Sequence, residues 1–359
     1  MKEYLMNQEP SNPNTEPIPE TPKKKLLSQR DFYIVAVFFL AVMGLLYYGF
    51  FFPNYYDGEA PRIFDLEEGM SFSRLCEELE SQGIIPNKTM LRVAGFVYGA
   101  EQRIKAGRYA IPNGLSYLDL LDLLTEGKSI EKRKLLIYGG MSTRNLIART
   151  VAILQTDSAK LKQLITDRVF LDSIQARVPN LEGYLLPMSY SFYPHERPEV
   201  ILQTMWKEFS AFFDEKLQAR AIELGFVPHD IMTMASIIAG ETIDTTEMTT
   251  ISGVYHNRLK KNMKLQADPT IAYILGGYRR LLHRDLEIES PYNTYKYAGL
   301  PPGPINNPGR NAIIAALYPR EHNYLFFVAD SNGRHNFSET YGEHLLKARE
   351  YHRWLNSRK

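Results

Sequence analysis

The sequence predicts an α+β chain carrying a single N-terminal transmembrane helix, and three observations carry that reading. One uncharged apolar run of 21 residues, Phe32 to Phe52, lies near the N-terminus. Two strand–turn–helix units follow within residues 61–130. From 131 to 359 the pattern is a longer mixture of strands and helices, with no internal repeat of roughly 20–50 residues. Composition supports a folded chain, since 44% hydrophobic and 23% charged residues sit near the globular norm. Lys+Arg is 42 against Asp+Glu 41, so no global basic field exists to attract nucleic acid, and none is expected as a partner. A single cysteine, Cys76, excludes an intramolecular disulfide and thiolate-rich zinc sites. The 23 tyrosines suit sugar-stacking surfaces or a membrane boundary as well as ordinary cores.

Taken in order, residues 1–31 read as a disordered cytosolic tail. The segment is polar, contains Pro10, Pro13, Pro17, Pro19 and Pro22, and buries too little to offset its ordering entropy. Lys23, Lys24, Lys25 and Arg30 then precede the span 32–52, which is about 30 Å long at 1.5 Å per residue, the thickness of a bilayer core. Tyr47, Tyr48, Tyr55 and Tyr56 crowd its far end like an aromatic belt. A soluble helix would carry a polar face, and a signal peptide would end in small residues rather than Phe50-Phe51-Phe52-Pro53. Positive charge stays inside, so the expected location is the cytoplasmic (inner) membrane, single-pass, with the N-terminus cytoplasmic and the remainder extracytoplasmic, that is periplasmic.

Residues 61–130 read as a small α/β module. A strand ends near Leu66, Gly69 turns the chain, and a helix begins at the N-cap Ser71 with Leu75, Leu79 and Ile84 or Ile85 on its buried side. A second strand around Tyr109 leads through Pro112-Asn113-Gly114 to a helix capped by Ser116 and ended by Gly127. Residues 131–359 form the larger domain. It contains a strand over Lys-Leu-Leu-Ile-Tyr-Gly (134–139), helices around 142–154 and 158–177, and an amphipathic helix near 198–224.

Four segments between 181 and 338 stand out from generic surface. Leu181 to Pro194 holds one carboxylate, Glu182, among apolar and aromatic residues. In Ile231 to Thr242, Ile231, Met234, Ala235 and Ile238 make a buried helical stripe with Glu241 near its edge. Val254 to Tyr273 ends a basic helix and places Gln266, Asp268 and Tyr273 in a loop. Ser290 to Gly309 is rich in Tyr and Asn and stiffened by Pro301, Pro302, Pro304 and Pro308, a length of rigid loop that suits the wall of a cleft. An apolar setting disfavours the charged form of a glutamate and lets it donate a proton near neutral pH, as cleavage of a glycosidic bond requires. Most glutamates are simply exposed, so context must select Glu241.

That context resembles the YceG-like family, the endolytic murein transglycosylases. The motifs are Glu241 at a helix end, Asn257-Arg258-Leu259, Leu265-Gln266-Ala267-Asp268-Pro269-Thr270, Tyr292-Asn293-Thr294-Tyr295, and Gly299 to Ile305. Phe327 to Ala329 and Gly333 to Phe337, including His335, supply a late matching element. The resemblance implies a lyase in which Glu241 is the single catalytic acid and then base. It would protonate the oxygen between MurNAc and GlcNAc in the glycan strands of peptidoglycan, then take the C6 hydroxyl proton so that a 1,6-anhydro end closes without water. It also implies that Gln266, Asp268, Tyr273, Asn293, Tyr295 and Glu182 bind substrate, that no cofactor or metal is needed, and that 61–130 is a LysM-like module. The enzyme would work beside peptidoglycan synthases, ending the elongation of nascent strands.

The sequence departs from the family pattern twice. Ala239-Gly240 stands where Glu-Lys is usual before the catalytic Glu, and Met188-Ser189 stands where Pro is usually followed by Asp-Thr. Neither a phosphate-binding G-x-x-x-x-G-K-[ST] motif nor H-E-x-x-H occurs. His256, His283, His322, His344 and His352 lack metal-ligand spacing and read as surface or packing residues, and Arg279-Arg280 with His283-Arg284 reads as a solvated charge run in preference to a site for anionic peptide stems or lipid headgroups. Two rival readings remain. One is a hydrolase pairing Glu241 with Asp268 or Glu182, and the other a non-catalytic anchored glycan-binding or division scaffold.

Overall fold

The computed structural model describes residues 28–58 and 60–357. The chain divides into two compact units, 1–129 and 130–359. The expected tail over 1–31 lies outside the described residues except for 28–31, which start a helix.

In the first unit, α1 runs Gln29–Phe51. It begins before the apolar run because Ser28 caps it. Ser28 Oγ accepts the Asp31 N–H at 3.3 Å, and the Asp31 carboxylate accepts the Ser28 N–H at 3.1 Å. At 1.5 Å per residue the helix is about 34 Å long, enough for a bilayer core. Phe50 is its one buried residue. Among the described residues it is the one helix long and apolar enough by itself to cross a membrane. The remainder of the unit is an antiparallel pair, β1 Arg62–Leu66 and β2 Gly107–Ile111, with α2 Phe72–Ser81 and α3 Lys88–Tyr98 between them and α4 Tyr117–Glu126 after. Ser71 and Ser116 are the N-caps that the sequence predicts, and left-handed Gly127 (φ 73°) stops α4. Helix α3 escapes the sequence reading for a physical reason. Its buried face is Leu91, Ala94 and Gly95, while Phe96 and Val97 are exposed, which inverts the usual stripe. Phe64, Leu75, Leu79, Leu91, Tyr109 and Leu121 lie in this unit's core.

The second unit opens with β3 Arg133–Leu136, shorter than the expected strand, paired antiparallel with β4 Ser189–Phe192. Between them lie α5 Thr143–Leu154, α6 Ser158–Leu164 and α7 Arg168–Ser173. The single helix expected over 158–177 is therefore two, because Asp167 starts a new one by accepting the Phe170 N–H at 3.1 Å. The helix expected near 198–224 is likewise α8 Pro198–Phe212 and α9 Glu215–Glu223, restarted at the N-cap Asp214. Hydrophobic periodicity carries across such breaks, whereas caps do not.

The centre of the unit is α10 Pro228–Glu241, in which every residue from Ile231 to Ile238 is buried. It packs with α11 Thr245–Lys260, the short α12 Asp268–Ile274 and α13 Arg310–Leu317. The hairpin β5 Phe326–Ala329 and β6 His335–Ser338 and the terminal α14 Tyr341–Asn356 complete it. Asn257 and Arg258 are the clamp for that end of the chain. Asn257 donates to the carbonyls of His322 and Tyr324, and the buried Arg258 donates to those of Leu325 and Leu265. Met188 lies partly buried between the two apolar clusters of this unit, which gives that departure a packing role.

Candidate active site

Glu241 ends α10, so a helix with a fully buried middle delivers its carboxyl to a surface cleft. The side chain is only partly exposed. Burial pushes its pKa up to about 7, and the negative charge of Asp268 adds to the rise, while a hydrogen bond from Tyr255 and the charge of Arg258 oppose it. Tyr255 Oη donates to Glu241 Oε1 at 2.6 Å. Tyr255 is 1% exposed, on α11, with its ring edge-on to Phe327. Burial, and then the neighbouring Glu241, hold its hydroxyl well above the ordinary tyrosine range, so it remains a donor throughout the neutral range.

A lobe of about 370 Å³ surrounds Glu241, lined also by Gly240, Asp268, Pro269, Tyr278 and Arg280. Asp268 and Tyr273 are not in a loop as expected. They belong to α12, which Pro269 opens in its first turn. A Cβ at Gly240 would lie 2.6 Å from the Pro269 Cβ, so a bare backbone there lets α12 lie against α10 just before the carboxylate. The Ala239-Gly240 departure thus has a packing consequence as well as an electrostatic one. Tyr295 Oη donates to Asp268 Oδ1, which anchors that carboxylate.

Gln266 is exposed beside them, on a left-handed backbone (φ 49°), with its N–H on Thr294 O at 3.1 Å. Asn293 differs from the expectation that it binds substrate. It is 0% exposed, its amide donates to Leu286 O and Ile288 O, and its Oδ1 accepts the Tyr295 N–H at 2.9 Å. With all of those polar positions spent on the backbone, Asn293 shapes the loop from inside. The Arg279-Arg280 run also departs from a simple solvated face. Arg279 makes a two-armed pair with Asp285 at 2.7 and 2.8 Å, and both arginines line the Glu241 lobe.

A larger lobe, about 610 Å³, shares Pro269, Ala272 and Tyr278 with the first. Glu241 lies in the smaller of these two lobes. In the larger sit Glu182, Tyr273 and Tyr292, the two rings 4.9 Å apart. Burial raises the Glu182 pKa, and the Thr143 N–H, donating to Oε1 at 3.0 Å, opposes the rise. The structure therefore brings Asp268 to Glu241 and places Glu182 in the other lobe. Asn307, 0% exposed, knits this lobe together. Its Oδ1 accepts from Gly183 and Leu185, and its amide donates to Met141 O and Thr143 Oγ1.

Sequence reasoning missed Tyr255, Tyr278 and Asn307. Asn307 lay in the proline-rich segment already singled out, but nothing local marks an asparagine that bridges residues over 120 positions away. His335, matched on the late motif, donates its N–H to the buried Glu247 at 2.8 Å, with Nδ1 2.9 Å from the second oxygen. It braces the hairpin and does not line either lobe.

The YceG-like family model matches residues 64–350. An endolytic murein transglycosylase of Bacillus subtilis is 31% identical over 309 residues, covering 80% of this chain and 84% of that protein. Endolytic murein transglycosylases of two Streptococcus pneumoniae strains are 28% identical over 325 residues, and this chain spans 57% of their length. A solved yceG-like protein of Listeria monocytogenes superposes with a TM-score of 0.56 at 31% identity, covering 79% of this chain and 97% of that one. A match running from the first strand to the last helix, with relatives that share it along most of this length, means that the chain belongs to the YceG-like family.

Proposed function

We infer that this chain is an endolytic murein transglycosylase, a lyase that cuts peptidoglycan glycan strands internally. The observation that carries this is the state of Glu241, with a pKa of about 7, one oxygen held by Tyr255, and Oε2 without a hydrogen-bond partner among the described residues. A carboxyl so poised gives its proton to the glycosidic oxygen as the bond to C1 breaks. The resulting carboxylate then accepts the proton of the C6 hydroxyl, whose oxygen bonds to C1. The products are an anhydro-ended strand and a free hydroxyl, and no water enters. Tyr255 supports the carboxylate between the two transfers, because it donates throughout.

The test is mass spectrometry of peptidoglycan digested by the full-length protein in detergent. Anhydro ends, one water lighter than hydrolysed ends, are expected. One observation favours a second reading, since Asp268 shares the Glu241 lobe and raises its pKa. If Asp268 activates water, the products carry reducing ends and Asp268→Asn is as damaging as Glu241→Gln. On the transglycosylase reading Asp268 only positions substrate, and Asp268→Asn costs about tenfold or less.

The remaining parts of the reading have separate supports. Lys23 to Lys25 ahead of α1 and Arg30 in its first turn support an N-inside anchor with both later parts outside the cytoplasm. The separate core of residues 61–130 supports a LysM-like glycan module there, with the transglycosylase domain over 131–359. Tethering at the membrane suits an enzyme that trims nascent strands beside the synthases that extend them.

A further inference from the structure

The larger lobe carries features that proton transfer at Glu241 does not use. Arg144 sits at the start of α5 and Lys162 on α6. Both line the lobe, both are exposed, and neither has an ion pair or hydrogen bond from its side chain among the described residues. The Arg144 guanidinium lies across Gly276, where a Cβ would come within 3.0 Å of Nη1. Asn306 forms part of the wall at 3% exposure. Its amide donates to Ser236 O at 2.8 Å, which fixes the amide's orientation, yet its Oδ1 has no partner. A buried acceptor left open is costly, roughly 1–3 kcal/mol, and suits a ligand that brings an N–H. Tyr273 and Tyr292 add an aromatic surface of the kind that packs on a sugar ring. The acid in this lobe, Glu182, is tied to the Thr143 N–H and does not pair with either cation.

An aromatic pair, an open amide acceptor and two unpaired cations together fit a sugar that carries a peptide with a carboxylate. We propose that this lobe reads the stem peptide of murein, with Arg144, assisted by Lys162, pairing with a stem carboxylate and Asn306 Oδ1 accepting an amide N–H from the same sugar–peptide unit. The proposal rests on the transglycosylase reading and adds a preference to it. Strands bearing free stem carboxylates are cut in preference to strands without them, so the enzyme acts on murein before its peptides are removed.

The test uses the full-length protein in detergent with three substrates: peptide-bearing strands, the same strands stripped of peptide, and strands whose stem carboxylates are amidated. Release of cut ends is followed by mass spectrometry. The wild type should favour the carboxylate-bearing strands by roughly tenfold in kcat/KM, the scale of a partly exposed charge-assisted contact. In Arg144→Gln the ratio between substrates should collapse towards one, and Arg144→Lys should restore part of it. Arg144 is exposed, so circular dichroism should report an unchanged fold. A wild type indifferent to stripping or to amidation would overturn the proposal, as would a ratio unaltered in Arg144→Gln. Those outcomes differ from a failed transglycosylase reading, in which no anhydro ends appear from any of the three substrates.

Discussion

Glu241 and Glu182 invite comparison, since both are partly exposed glutamates in adjoining lobes, and burial raises the pKa of each. Their hydrogen bonds separate them. Glu182 takes a backbone N–H from the first turn of α5, a donor that cannot move, and so fastens the turn at 181–185 to that helix. Glu241 takes a side-chain hydroxyl and keeps its other oxygen open to the cleft. A raised pKa alone therefore does not identify a proton-transfer group. It becomes informative when an unoccupied oxygen faces a space that a substrate can enter.

The strongest way to break this contrast is Glu241→Gln. The amide retains the volume and can still accept from Tyr255, but it cannot exchange the proton. Release of anhydro ends should fall about 10²–10⁴-fold, and a variant cutting at the wild-type rate would remove Glu241 from the mechanism. The same variant should be more stable at alkaline pH. The unfolded carboxyl titrates near 4.5 and the folded one near 7, so the wild type loses stability as pH rises between those values, and the loss persists above 7. Glu241→Gln should recover about 3 kcal/mol at pH 8 and nothing near pH 4, read by denaturant unfolding.

Tyr255→Phe sharpens the comparison. It removes the donor that favours the Glu241 carboxylate, so the alkaline limb of the kcat profile should move to higher pH. The rate near neutrality should drop roughly tenfold, the worth of one hydrogen bond to a charged group. A limb that stays in place would show that Tyr255 only fills space. The smallest effect is expected for Glu182→Ala. It leaves the Thr143 N–H without its partner and should cost about 1–2 kcal/mol of stability, with a far smaller loss of activity than Glu241→Gln. If its activity loss instead matched that of Glu241→Gln, the two carboxylates would have to act together.

Local chemistry made much of the chain readable in advance. The apolar span, the Ser71 and Ser116 caps, the stop at Gly127 and the buried stripe of α10 each depend on residues within a turn or two of one another. Helix breaks at Asp167 and Asp214 were hidden because apolar periodicity continues through them. The location of Asn293 was hidden because its motif reads alike whether the side chain faces a ligand or the loop's own carbonyls.

By itself, then, the sequence determined the apolar span, the caps of α2 and α4 and the helix-end position of Glu241, since these follow from spacing along the chain. Only the tertiary structure decided that Tyr255 rather than a second carboxylate holds Glu241, that Asp268 shares its lobe while Glu182 does not, and that Asn307 fastens the wall. Those contacts join residues from 14 to 166 positions apart. They exist because packing of α10 against α11, α12 and α13 brings distant side chains together, and no local pattern encodes a partner that only packing selects.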